Sequence, residues 1–178
     1  MLNELARVAR SCVRCPLAAG RTQVVFGHGD PTAQLMLVGE GPGRDEDVQG
    51  RPFVGRSGQL LDWLLTVVGL DREHLYVTNS VLCRPPGNRT PTPAEVGACS
   101  AWLREQLRLV KPRVVVALGN TAAQAVLGTS GVARLRTRQL ALADGTRVFV
   151  TYHPSAALRD AQLAKLLRED LLRARTQL

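Results

Sequence analysis

The chain has 178 residues, 45% hydrophobic and 21% charged, long enough to bury roughly two thirds of its unfolded surface in one core, so a single domain over residues 1–178 is expected. The formal net charge is +8, and among 23 basic residues only Lys111 and Lys165 are lysines. The positive field is therefore almost all guanidinium and favours a polyanion such as nucleic acid, a merely solvated Arg-rich surface being the plainer alternative. The opening MLNELARVARSC has no continuous apolar core, and no run approaches the roughly 18 residues of a membrane span, so neither a signal peptide nor a membrane anchor is expected. A cytosolic chain with four cysteines points to metal or redox chemistry rather than disulfides.

In chain order, strand-like apolar runs fall at Leu35–Val38, Leu75–Val77, Val114–Leu118 and Val148–Tyr152. Helical patterns separate them, from about Ser57 to Val68, Thr92 to Val110 and Asn120 to Leu127, and a last helix runs from about Leu158 to the C-terminus. Thr92-Pro93-Ala94-Glu95 reads as a capping box with Pro at the first helical position, and Lys111-Pro112 stops that helix. Asp144-Gly145 marks a turn, which makes Arg134 to Val150 a hairpin whose second strand enters the sheet. The βαβαβαβ order predicts a parallel sheet covered by helices on both faces.

Ligands of open parallel sheets bind at the carboxyl ends of the strands. There the order above places Gly39 and Glu40, Thr78 and Asn79, Gly119 and Asn120, and His153. Asn120 reads simply as an N-cap, while Glu40, Asn79 and His153 converge on one rim. The stretch GEGPGRDEDVQGRPFVG, from Gly39 to Gly55, lacks the third glycine of a dinucleotide fingerprint and has no P-loop lysine. Asp45, Glu46 and Asp47 would also repel a pyrophosphate. Pairing with Arg44 or Arg51, or keeping phosphates out of a pocket, is expected of this acidic trio. Cys12 and Cys15 form C-x-x-C-P, and Cys83 and Cys99 flank the Pro-rich RPPGNRTPTP. Four thiolates suit zinc or an iron–sulfur cluster, and the residue types alone do not choose between them.

These segments together resemble the iron–sulfur uracil-DNA glycosylases of family 4. The matching pieces are C-V-R-C-P-L from Cys12, V-V-F-G-H-G from Val24, G-E-G-P-G-R-D-E-D from Gly39, G-R-P-F-V-G from Gly50, V-T-N from Val77, C-R-P-P-G-N-R-T-P from Cys83, Cys99, and H-P-S-A-A-L-R from His153. They cover nearly the whole chain in order. The resemblance implies a three-layer α/β/α sandwich with a central four-stranded parallel sheet, and a monomeric, nucleoid-associated DNA-repair enzyme that excises uracil from single- or double-stranded DNA. It further implies a structural 4Fe-4S cluster on Cys12, Cys15, Cys83 and Cys99. The uracil pocket carried over comprises Glu40, Gly41, Pro42, Phe53 as stacking platform, Asn79 as base reader and His153 as stabiliser of the departing uracil anion, with Glu40 on the attacking water or the cationic sugar.

Arg56, Ser57, Arg84, Asn88, Arg89, Ser155 and Arg159 are expected to touch DNA phosphates, and Leu158 to fill the space of the flipped base. Arg14 and Arg21 read as solvated, and His28 and His74 as surface or core residues. The family often carries a bulkier residue where Ala156 stands. A sister branch bonds covalently to the sugar through a His in the loop after the second strand; Cys83 to Pro93 holds no His, and the two lysines lie outside the pocket, so hydrolysis without a lyase step is expected. The competing reading is a non-catalytic, metal-stapled module that binds single-stranded or damaged DNA.

Overall fold

The computed structural model describes residues 1–178. In chain order it contains α1 (Leu2–Ala9), α2 (Leu17–Gly20), β1 (His28–Gly29), β2 (Leu35–Gly39), α3 (Arg44–Gln49), α4 (Arg56–Val67), β3 (Tyr76–Asn79), α5 (Pro93–Val110), β4 (Val114–Leu118), α6 (Asn120–Leu127), α7 (Val132–Leu135), β5 (Leu140–Ala141), β6 (Arg147–Thr151), α8 (Pro154–Ala157) and α9 (Ala161–Arg175). Short 3₁₀ turns at Arg72–His74 and Pro86–Asn88 complete the elements. No helix is long and apolar enough to cross a membrane.

The sheet has six strands in the order β1-β3-β2-β4-β6-β5. The four expected strands form its parallel centre, and the two-residue strands β1 and β5 add antiparallel pairs at the edges. Alternation along each strand explains the unbroken apolar runs, because both faces are covered. Leu35 and Leu37 of β2 and Val114, Val116 and Leu118 of β4 pack with Leu61, Leu64 and Leu65 of α4 and Leu167 and Leu171 of α9. Met36, Val38, Val115 and Ala117 face the other way, onto Leu103 of α5, Ala122 and Ala123 of α6 and Leu135 of α7. Right-handed crossovers dictate this split: β2 to β3 steps one way along the sheet and β3 to β4 steps back, so their helices lie on opposite faces.

Boundaries moved where local chemistry outweighed periodicity. The second central strand is Tyr76–Asn79 rather than Leu75–Val77, so Thr78 and Asn79 stand inside it. The final helix starts at Ala161 rather than at about Leu158, because Asp160 caps it by accepting from the N–H of Gln162 and Leu163, and the separate short α8 precedes it. The hairpin is short, with Gly145 at φ +89° in its turn and only Leu140–Ala141 pairing with β6. The capping box on α5 forms as expected: Thr92 accepts from the Glu95 N–H, and Glu95 from the Thr92 N–H. At the far end of α5, Lys111 sits at φ 53°, ψ 53°. This left-handed conformation costs a side-chain-bearing residue roughly 1–2 kcal/mol and glycine nothing. Lys111→Gly should therefore stabilise the protein by about 0.5–1 kcal/mol, read as a raised midpoint in urea at unchanged m-value.

Candidate active site

At the carboxyl ends of the parallel strands a cavity of about 200 Å³ is lined by Glu40, Gly41, Pro42, Gly43, Glu46, Phe53, Ser57, Pro85, Asn79, Asn88, Arg89, His153 and Ser155. All six residues assigned to the base pocket are among them. Glu46, Gly43 and Pro85 were not assigned, and of the expected DNA contacts Ser57, Asn88, Arg89 and Ser155 reach the lining while Arg56, Arg84, Leu158 and Arg159 do not.

Asn79 closes β3 opposite Gly39 at the end of β2. Its Oδ1 is buried and has no hydrogen-bond partner in the protein. A Cβ on Gly39 would lie 2.4 Å from that oxygen and 2.5 Å from Cζ of Phe53, so only glycine lets the amide and the ring share the pocket floor. Phe53 is 5% exposed and its ring centroid stands 5.7 Å from that of His153. Its φ is +53°, a genuine outlier for a bulky residue, of the kind held only where the surroundings over-determine it.

His153 caps α8, and its Nδ1 accepts from the Ser155 backbone N–H at 3.1 Å, with the Ser155 hydroxyl 2.8 Å away. An amide can only donate, so the neutral ring carries its proton on Nε2. Burial pushes the ring down to about 4, against the opposing pull of the Glu46 carboxylate. At neutral pH the site therefore presents an uncharged N–H donor. Across the pocket, Glu40 Oε2 accepts from Thr121 Oγ at 2.6 Å. Thr121 lies in the first turn of α6, and no sequence pattern announced it; the contact leaves Glu40 Oε1 free.

The acidic trio is not a loop but the first turn of α3, and Glu46 and Asp47 take backbone amides rather than Arg44 or Arg51. Glu46 accepts from the N–H groups of Gly43, Val54 and Gly55, at 3.1, 2.9 and 2.8 Å. Both oxygens of Asp47 accept from the Thr22 N–H, at 2.9 and 3.1 Å. The two are 8% and 3% exposed, and Asp45 is on the surface. Only the Gly43 N–H belongs to the start of α3; the other amides come from segments elsewhere in the chain.

Other readings also change. Asn120 does not cap α6; its Oδ1 accepts from the N–H of Gly131 and Val132 and braces α7. The Arg89 fork closes on Glu95 at 2.7 and 2.8 Å and holds that carboxyl down to about 2, so much of its charge is already matched. Arg84 donates to Asn88 Oδ1 at 2.7 Å. His28 and His74 are exposed and are not among the residues that line the pocket.

A second cavity is lined by all four cysteines together with Arg14, Arg21 and Trp102. Neither arginine is merely solvated. Arg14 stacks 4.7 Å from the centre of the Trp102 ring, and Arg21 donates to the Cys12 carbonyl at 2.7 Å and to Cys83 Sγ at 3.3 Å. Trp102 Nε1–H points to Cys12 Sγ at 3.4 Å. Burial pushes the Cys99 thiol up to about 12. The sulfurs do not stand in a metal-coordinating arrangement in this structure, but four soft donors around one mostly apolar cavity, two of them already receiving N–H groups, have the chemistry of a thiolate-held group.

The sequence has counterparts among known proteins. Residues 26–174 match the model of the uracil DNA glycosylase superfamily, and the chain belongs to that superfamily. Within it, the chain is 43% identical to the type-4 uracil-DNA glycosylase of Thermotoga maritima, an alignment covering 99% of this chain and 94% of that protein. It is 40% identical to the type-4 uracil-DNA glycosylase of Archaeoglobus fulgidus over 95% and 89% of the two chains. The type-5 uracil-DNA glycosylase of Thermus thermophilus is 34% identical over 83% of this chain. These likenesses place the chain in family 4.

Proposed function

We propose that this protein is a monofunctional DNA-repair glycosylase that flips uracil out of deaminated DNA and hydrolyses its N-glycosidic bond, leaving an abasic site. The observation that carries the reading is the buried Asn79 Oδ1, unpartnered on the floor of a pocket walled by Phe53 and His153. A buried acceptor left unpaired costs the fold about 1–3 kcal/mol. A planar base with an imide N–H satisfies it, while cytosine presents a lone pair at that position and does not.

The roles follow from position. The extruded base stacks on Phe53, whose face replaces part of the lost base stacking. Asn79 reads the imide edge. As the bond to the sugar breaks, negative charge grows on the uracil ring, and the His153 Nε2–H donates to it without a proton having to leave the imidazole. Thr121 holds one oxygen of Glu40, and the other orients the attacking water or faces the cationic sugar. Ser57, Asn88, Arg89 and Ser155 surround the mouth as phosphate contacts, with Arg56, Arg84 and Arg159 supplying charge and Leu158 the wedge.

Cys12, Cys15, Cys83 and Cys99 would hold a 4Fe-4S cluster, which supplies no step of the hydrolysis and staples the N-terminal segment to the Pro-rich loop. Incubation with a uracil-containing oligonucleotide, followed by alkali, should cut the strand at the uracil, and no cut should form before alkali is added. Binding with no cleavable site after alkali would leave only a DNA-binding module. Iron and acid-labile sulfide should be found at about four per chain; a colourless, zinc-loaded protein that lacks iron refutes the cluster.

A further inference from the structure

The segment Pro52–Gly55 is gripped from both sides. Arg72, in the short turn before β3, donates from Nη2 to the Pro52 carbonyl at 2.5 Å and from Nη1 to the Phe53 carbonyl at 2.9 Å. The next two groups along the chain, the Val54 and Gly55 amides, go to Glu46. A cation thus holds two consecutive carbonyls and an anion the two amides that follow, so this segment has no free choice of peptide orientation. Behind it, Gly58 of α4 lies so close that a Cβ there would stand 2.1 Å from the Phe53 oxygen. Between these contacts sits the left-handed Phe53. Arg72 lies outside the pocket lining, its side chain 22% exposed, with Asp62 Oδ1 2.5 Å from Nη1.

We infer that Arg72 is a positioning residue for base capture: by clamping the Pro52 and Phe53 carbonyls it keeps Phe53 in its left-handed conformation and so sets the plane of the ring on which uracil stacks. This rests on the reading of Phe53 as the stacking platform. A phenylalanine released to φ below zero would swing its ring off the floor shared with Asn79, and the loss falls on affinity for the base rather than on the hydrogen bonds that cleave it. Arg is required because its fork spans two carbonyls in one plane, which an ammonium does not.

The test compares Arg72→Met, Arg72→Lys, Phe53→Ala and the double variant Arg72→Met/Phe53→Ala. The probes are inhibition by free uracil and binding to a duplex with an abasic site, which lacks the base. Arg72→Met is expected to weaken free-uracil inhibition roughly tenfold and to raise KM more than it lowers kcat, with abasic-duplex affinity unchanged. The double variant should be no worse than Phe53→Ala alone, since both changes remove one interaction. Arg72→Lys should fall between wild type and Met. The inference is overturned if the two losses multiply, or if Arg72→Met weakens abasic-duplex binding as much as uracil binding. Should Arg72→Met fail to fold, Arg72→Lys decides: wild-type inhibition by uracil in that variant sinks the proposal. If Phe53→Ala itself leaves uracil inhibition unchanged, it is the stacking assignment that falls, independently of what Arg72 does.

Discussion

His153→Asn should slow excision by roughly 10²–10³-fold under single-turnover conditions while leaving the affinity for uracil-containing DNA close to wild type, because it removes one donor aimed at charge that exists only in the transition state. Asparagine is chosen because it is itself a strong N-cap. It can continue to accept the Ser155 N–H that His153 Nδ1 accepts now, so α8 keeps its start and the loss reports on chemistry. A measurement by quench-flow on an oligonucleotide with a single uracil gives the rate directly; a variant within tenfold of wild type removes His153 from the catalytic step. The same ring makes a statement about pH. Its folded-state value is lowered to about 4 from an ordinary 6.5, by burial first. Between those values the unfolded chain takes up a proton that the native state refuses, so stability is full above about pH 6.5 and falls as pH drops towards 4. Urea unfolding of wild type and His153→Asn at several pH values should show this slope in the wild type and a flatter one in the variant.

Asn79→Asp should change which base is cut. The amide offers uracil both a donor and an acceptor, and an ionised carboxylate offers only acceptors. Uracil then loses a donor to its carbonyl, and the cytosine amino group gains an acceptor. With about 1–3 kcal/mol for each buried group left unpaired, the ratio of kcat/KM for uracil over cytosine should drop by roughly a hundredfold or more. Paired assays on oligonucleotides differing in that one base measure it. An unchanged ratio would mean that the edge of the base is read elsewhere. Gly39 limits every such experiment, since the Asn79 oxygen would be only 2.4 Å from any Cβ introduced there, and its substitution should abolish activity without informing on recognition.

Much of this site could be read from the chain because its parts sit at strand ends, where apolar runs mark position and polar residues break them. Glu40, Asn79 and His153 each follow or close such a run, and the topology of parallel sheets does the rest. What escaped was of two kinds. Glu46, Asp47 and Arg72 act on backbone groups, and a backbone group has no letter in the sequence, so neither an acidic trio nor an arginine in a turn says which amide or carbonyl it will meet. Thr121 meets Glu40 across 81 positions, a pairing that depends on how far α6 tilts over β4 rather than on any periodicity. The edge strands β1 and β5 were invisible for a different reason: two residues are too few to establish an alternation.

Those two short strands govern how the protein behaves in company. A parallel sheet has ladder groups left over at each rim, and such a rim can recruit another chain into a growing aggregate. Here each edge strand is two residues long, β5 pairs only with Arg147 and Val148 of β6, and Gly27 and Gly29 stand at φ +145° and +125° beside and within β1. Edge strands this short offer a second chain little regular ladder to extend. In a protein of net charge +8, like charge further opposes the approach of two such edges.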